Sequence, residues 1–131
     1  MQADAVSHSS NFADAYRNKA PAYFSGARID FVRRLPADPR SSILEVGCGT
    51  GATGALALAS GRAQRYTGIE LFESAANEAR KVLTEVIAGD VERIDLNFGP
   101  TDFDAIILSE VLEHLVEPQR ALEKLVKSLR P

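Results

Sequence analysis

A short apolar run, Ile43–Val46, leads straight into a loop with glycine at 47, 49 and 51, and that loop leads into an Ala- and Leu-rich stretch, Ala52–Ser60. The run is short and bounded by a glycine turn, so it reads as a buried strand. The stretch beyond the loop is apolar all round, as a helix buried on every side is, with Gly61 as its stop. A strand, a glycine loop and a buried helix in that order leave few folds open. Two glycine patterns overlap in ILEVGCGTGATG. Gly49, Gly51 and Gly54 make GxGxxG, the dinucleotide fingerprint. Gly47, Gly49 and Gly51 make GxGxG with Glu45 ahead of them, which suits a different adenosine ligand. GxGxxG reads here as an accident of where Gly54 falls in the helix.

The alternation continues down the chain. Arg65–Leu71 (RYTGIEL) reads as a second strand. Ser74–Leu83 reads as an amphipathic helix with Ala75, Ala79, Val82 and Leu83 inward. Glu85–Ala88 reads as a third strand, ending at Gly89-Asp90, and Val91–Asp102 as a loop punctuated by Gly99-Pro100. Ala105–Leu108 (AIIL) reads as a fourth strand, apolar on both faces as parallel strands are. Pro118 opens a last helix, with Leu122, Leu125, Val126 and Leu129 on one stripe. Upstream, residues from about Asn11 to Leu35 have a helical pattern broken by Pro21 and Gly26. This order predicts an α/β fold: a three-layer, Rossmann-like parallel sheet with helices on both faces. Two segments are expected. Residues 1–40 form an N-terminal helical segment, in which Tyr16, Tyr23 and Phe24 serve either as a lid over a ligand or as ordinary packing. Residues 41–131 form the sheet domain.

A chain of 131 residues, 45% hydrophobic and 25% charged, suits one globular domain. Its net charge of −3 carries no basic footprint for nucleic acid. Cys48 is the only cysteine, so no disulfide framework and no thiolate metal site is expected. Set between two glycines, Cys48 reads as a small space-filler rather than a nucleophile. The N-terminus lacks the apolar core of a signal peptide, and no run approaches the roughly 20 apolar residues of a membrane span. A cytoplasmic location is the expectation.

Ligands of parallel α/β sheets bind beyond the carboxyl ends of the strands. Glu45 ends the first strand, Glu70 the second, Asp90 the third, and Ser109 and Glu110 the fourth. Four acids therefore converge on one rim, while the glycine loop holds no Lys or Arg. A pyrophosphate on that loop faces Glu45 with like charge. S-adenosylmethionine carries a sulfonium and an ammonium group, and acids near them are favourable. Glu70 stands about 20 residues past the loop, where a ribose-binding acid belongs in either fold. A nicotinamide oxidoreductase is the competing reading. His114 lies within one helical turn of Glu110 and is the weak candidate for a general base, against the plainer reading of a surface histidine.

The stretches ILEVGCGTG, YTGIEL, IAGDVERIDL and FDAIILSEVLEHLVEPQRALEKLVKSLRP span 43–131. In order and spacing they resemble the N-terminal two-thirds of a class I S-adenosylmethionine-dependent methyltransferase domain. The resemblance implies that Glu45 and the loop Gly47, Cys48, Gly49, Thr50 and Gly51 hold the methionine moiety. It implies Glu70 on both ribose hydroxyls and Leu71 and Phe72 flanking the adenine. Asp90 would accept from the adenine amino group with Val91 beside it, and Ser109 and Glu110 would line the methionine side. The implied function is methyl transfer to a small-molecule, lipid or sugar-type acceptor, with S-adenosylhomocysteine as product. The alternative is a non-catalytic module that binds the same cofactor. The family's sheet has seven strands and four are readable here, so a fold truncated after the fourth strand and its helix is expected. A fragment of a longer protein is one expectation, and a dimer or partner chain covering the fourth strand's edge is the other.

Overall fold

The computed structural model describes residues 24–131. Tyr16, Tyr23 and most of the expected N-terminal helix lie outside them. The elements are α1 (Ile29–Arg33), β1 (Ser42–Val46), α2 (Ala52–Ala59), β2 (Arg65–Glu70), α3 (Glu73–Ala79), β3 (Glu85–Ala88), β4 (Ala105–Leu108) and α4 (Pro118–Val126), with a 3₁₀ turn at Leu112–His114 before α4. The four strands form one parallel sheet in the order β3-β2-β1-β4. In register, Glu45 stands between Gly68 of β2 and Ile107 of β4.

Alternation along the strands divides the interior in two, because successive side chains point to opposite faces. On one face Ile43, Tyr66 and Ile107 meet Leu56 of α2, Val32 of α1, and Ala79 and Leu83. On the other, Leu44, Val46 and Ile69 meet Val91, Phe103 and Leu125 of α4. The helices cover both faces, as the alternation required. Phe24, Val32 and Leu35 are buried in the first of these clusters, so the described part of the N-terminal segment belongs to the sheet's own core.

Several boundaries differ from the sequence reading. β2 ends at Glu70, and Leu71 is 59% exposed. α3 stops at Ala79 and buries Ala76 and Ala79, where Ala75 was expected inward. The remainder, Arg80–Leu83, is a turn that carries Leu83 into the core, since Val82 and Leu83 donate their N–H groups to the Ala79 carbonyl. α4 buries Ala121 and Leu125, while Val126 is 51% exposed, so its apolar stripe is narrower than the pattern suggests. Glu110 does not start a helix. Its φ is +54°, and the chain turns into the 3₁₀ segment instead.

α2 springs from the glycine loop without a side-chain cap: its N-cap is Gly51 at φ +91°, a left-handed backbone that favours glycine. α4 is capped from a distance. The Glu92 carboxylate accepts from the N–H groups of Val116 (3.0 Å) and Glu117 (2.8 Å), a negative charge placed at a helix N-terminus. Lys124 donates back to the carbonyl of Val91 at 2.6 Å, tying α4 to the segment after β3. β4, like β3, is an edge strand. A parallel bridge between Phe103 and Leu129 joins the approach to β4 to the segment after α4. No helix of the described residues is long and apolar enough to cross a membrane.

Candidate functional site

The carboxyl ends of β1 and β2 are joined by hydrogen bonds through the glycine loop. The N–H groups of Gly47 (2.8 Å) and Cys48 (3.2 Å) donate to the Ile69 carbonyl. Gly49 N–H donates to Glu70 Oε1 at 2.8 Å, and Phe72 N–H donates to Glu70 Oε2 at 3.0 Å. One carboxylate thus clamps the loop after β1 and the turn after β2. Each oxygen keeps a lone pair for a further donor, such as a diol. Glu70 is 7% exposed, while Leu71 and Phe72 beside it are open to solvent.

Glu45 is placed differently. It is 4% exposed, and its Oε1 accepts from the Tyr66 hydroxyl at 2.7 Å. Burial pushes its carboxyl up to about 7; the Tyr66 hydrogen bond pulls against that, Glu70 adds to it, and Arg28 opposes it. The Cys48 thiol is also buried and is pushed up to about 12, chiefly by desolvation and then by Glu45 and Glu70. It therefore stays protonated near neutrality, and its Sγ fills the space that a Cβ on Gly68 would need, 2.5 Å away. That is the space-filler reading of Cys48, given a location.

Arg28 ties the end of β4 to the same rim. Its Nη1 donates to Ser109 Oγ at 2.9 Å and lies 3.9 Å from Glu110. Its N–H is held by Thr53 Oγ1 of α2 at 2.9 Å, and its guanidinium lies 4.0 Å over the Phe31 ring. The Glu110 side chain is 81% exposed. Asp90 is engaged locally: Oδ1 accepts from Glu92 N–H at 2.9 Å, and Oδ2 lies 3.7 Å from Arg93. Val91 is 5% exposed and packs in the α4-side cluster. His114 is exposed on the 3₁₀ turn.

The structure therefore joins the glycine loop to Glu70 by hydrogen bonds, buries Glu45 beside them on the Tyr66 hydroxyl, and ties Ser109 and Glu110 to that rim through Arg28. Asp90 ends the sheet's other edge strand. Three contributors were not picked out from the sequence. Arg28 precedes a short helix and looks like any surface cation. Glu92 caps a helix 24 residues away. Tyr66 reaches Glu45 from the neighbouring strand, a contact no local pattern signals. Gly54 completes the GxGxxG pattern only by its place in the helix, and the structure gives that glycine a packing cause. A Cβ there would lie 2.5 Å from Tyr66 Cε1, so the residue must be glycine for the ring to fit.

Residues 44–131 match a family model described as a methyltransferase domain. The chain is 33% identical over 104 residues to the O-methyltransferase resE of Aspergillus sclerotiorum, covering 75% of this chain and 39% of that one. It is 35% identical over 106 residues to the O-methyltransferase cnsE of Penicillium expansum, covering 76% and 38%. It thus spans about two fifths of the length of the curated relatives it matches. Among solved structures, S-adenosylmethionine-bound CalS10, an amino pentose methyltransferase of Micromonospora echinaspora, superposes with a TM-score of 0.63 at 29% identity, covering 92% of this chain and 52% of that one.

Proposed function

We infer the function from one premise: the chain belongs to the class I S-adenosylmethionine-dependent methyltransferase family. On that footing the protein binds S-adenosylmethionine at the carboxyl ends of β1 and β2 and transfers its methyl group to a small-molecule acceptor, at an oxygen. The oxygen is supported by the names of the two fungal relatives, and a sugar-type acceptor by that of the amino pentose enzyme.

The observation that carries this reading is the pair of buried acids beside the glycine loop, Glu45 and Glu70, with no Lys or Arg in the loop. A pyrophosphate there would meet the Glu70 carboxylate, and Glu45 where it is ionised, in a site shielded from water, where like charges repel strongly. A cationic ligand meets the opposite. The residues fit S-adenosylmethionine in kind: Glu70 for the ribose hydroxyls, Leu71 and Phe72 as exposed apolar cover for the adenine, and Asp90 for its amino group. Glu45 and the loop serve the cationic end. When bound, this cofactor supplies a methyl group activated on a positive sulfur. The chain's own contribution is to orient the ligand and exclude water, which can account for most of the acceleration in such displacements. Cys48, held protonated, takes no part as a nucleophile.

Calorimetry of the full-length protein tests the reading. Binding of S-adenosylmethionine and S-adenosylhomocysteine, with none of nicotinamide dinucleotide, is expected, followed by label transfer to hydroxylated small molecules. Dinucleotide binding alone overturns it. Cofactor binding without turnover on any acceptor reduces it to a cofactor-binding module.

A further inference from the structure

Among the described residues, Tyr66 is the one large polar side chain buried completely between α2 and the sheet. Phenylalanine would fill the same volume, so the hydroxyl is what needs explaining. A buried hydroxyl without a partner is costly, and the one here donates to Glu45. The ring's place is enforced from α2, where Gly54 lacks the Cβ that would strike it. α2, β2 and β1 therefore cooperate to set a single oxygen against a single carboxylate. Glu45 itself is an expense to the fold. An acid drawn out of water and met by a neutral phenol is less favourable than apolar packing of the same shape. Groups kept at such cost, with shifted ionisation, cluster at functional sites.

We propose that Tyr66 is a positioning residue: its hydroxyl holds Glu45 beneath the glycine loop, ionised when the cationic end of S-adenosylmethionine is bound. This rests on the methyltransferase reading. Tyr66 does not touch the ligand and acts only through Glu45. The titratable and charged groups that face Glu45 are Tyr66 and Glu70 from β2, Cys48 from the loop and Arg28 from the segment before α1. Its neighbour in β4 is Ile107. Of these, Arg28 and the Tyr66 hydroxyl favour the ionised form. A cation bound near Glu45 favours it further, so ligand binding and loss of the Glu45 proton are linked.

The test is the affinity of the full-length protein for S-adenosylmethionine from pH 5.5 to 8.5, for wild type, Tyr66→Phe and Glu45→Gln. The Glu45→Gln profile removes the ligand's own titration from the comparison. Wild-type affinity, relative to Glu45→Gln, should rise about tenfold as pH climbs through about 7. In Tyr66→Phe the midpoint of that rise should move up by about one pH unit, with affinity largely recovered at the alkaline end. A purely structural role for Tyr66 would instead lower affinity equally at every pH. An unchanged or uniformly lowered profile in folded Tyr66→Phe, with wild-type binding intact, overturns the inference and leaves the methyltransferase reading standing. No wild-type binding at any pH overturns both. If Tyr66→Phe does not fold, carboxyl carbon resonances of the wild type decide the matter, with Glu45 assigned through Glu45→Gln. Glu45 should titrate near neutrality and leave that range when the cofactor saturates the protein. Titration in the ordinary carboxylate range, or none that responds to cofactor, overturns the proposal.

Discussion

At the end of β1, Glu45 is 4% exposed and bonded to a tyrosine; at the end of the adjacent β4, the Glu110 side chain is 81% exposed and stands 3.9 Å from Arg28. Both are acids at the carboxyl end of a parallel strand, and from sequence they look alike. β1 has strands on both sides and α2 over one face, so its acid is drawn out of water and its ionisation shifts. β4 is an edge strand, and its acid ends on a left-handed turn in solvent with an ordinary surface ion pair. Position in the sheet, not residue type, separates a carboxylate under electrostatic tension from one that is solvated. Glu70, at the end of β2, is a third case: buried, but stabilised as an acceptor by two backbone N–H groups.

The largest effect should come from Glu70. Glu70→Ala removes the ribose acceptor and the clamp on Gly49 together, and S-adenosylhomocysteine affinity should fall roughly 100-fold in calorimetry. Glu70→Gln should also bind poorly, because an amide NH₂ would face the N–H of Gly49 or Phe72. Wild-type affinity in either variant would remove Glu70 from the site.

Next is the effect of pH on stability. The Glu45 carboxyl is raised from 4.5 to about 7 on folding, so the native state holds a proton that the unfolded chain has lost between those values. The contribution is fully present below about 4.5 and is lost as pH rises toward 7. Glu45 alone should cost on the order of 3 kcal/mol across that window. Urea unfolding at both ends, wild type against Glu45→Gln, isolates it. Equal pH dependence in the two proteins would show that Glu45 is better solvated than its burial indicates.

A smaller loss should follow Gly54→Ala. The new Cβ meets the Tyr66 ring and Leu83, an overpacking that costs about 1–3 kcal/mol, against roughly 1 kcal/mol recovered in helix propensity. A net loss of about 1 kcal/mol in chemical denaturation, with a changed near-ultraviolet tyrosine signal, is expected. A gain in stability would mean that the ring moves freely and Glu45 is not held. The smallest effect is of the opposite sign. Glu110→Gly relieves a left-handed backbone at φ +54° and should stabilise by up to about 1 kcal/mol in the same assay. A loss would show that the Glu110 carboxylate matters to the fold, making the two rims more alike than they look.

Much of the fold was legible because its signals are local. Strand lengths, the glycine loop and Pro118 at the first position of α4 follow from short-range backbone preferences. β3 and β4 fall where the apolar runs placed them. α3 was read too long, because Val82 and Leu83 keep the helical spacing while a turn carries them into the core. Asp90 and Val91 are adjacent in sequence, and the structure sets the one in a turn as an acceptor for the Glu92 N–H and buries the other on the α4 side. Sequence adjacency does not say which way a turn rotates its residues.

The chain's sequence by itself determined the order of strands and helices, the glycine loop and the row of acids at the strand ends. These depend on neighbours a few residues apart, and the physics of turns and periodicity acts at that range. Only the tertiary structure decided which acid is buried, which clamps the loop and which stays in water. It also decided that Tyr66 answers Glu45 and that Gly54 is glycine because of Tyr66. Desolvation and close approach depend on what lies across the sheet, from residues far apart in the chain.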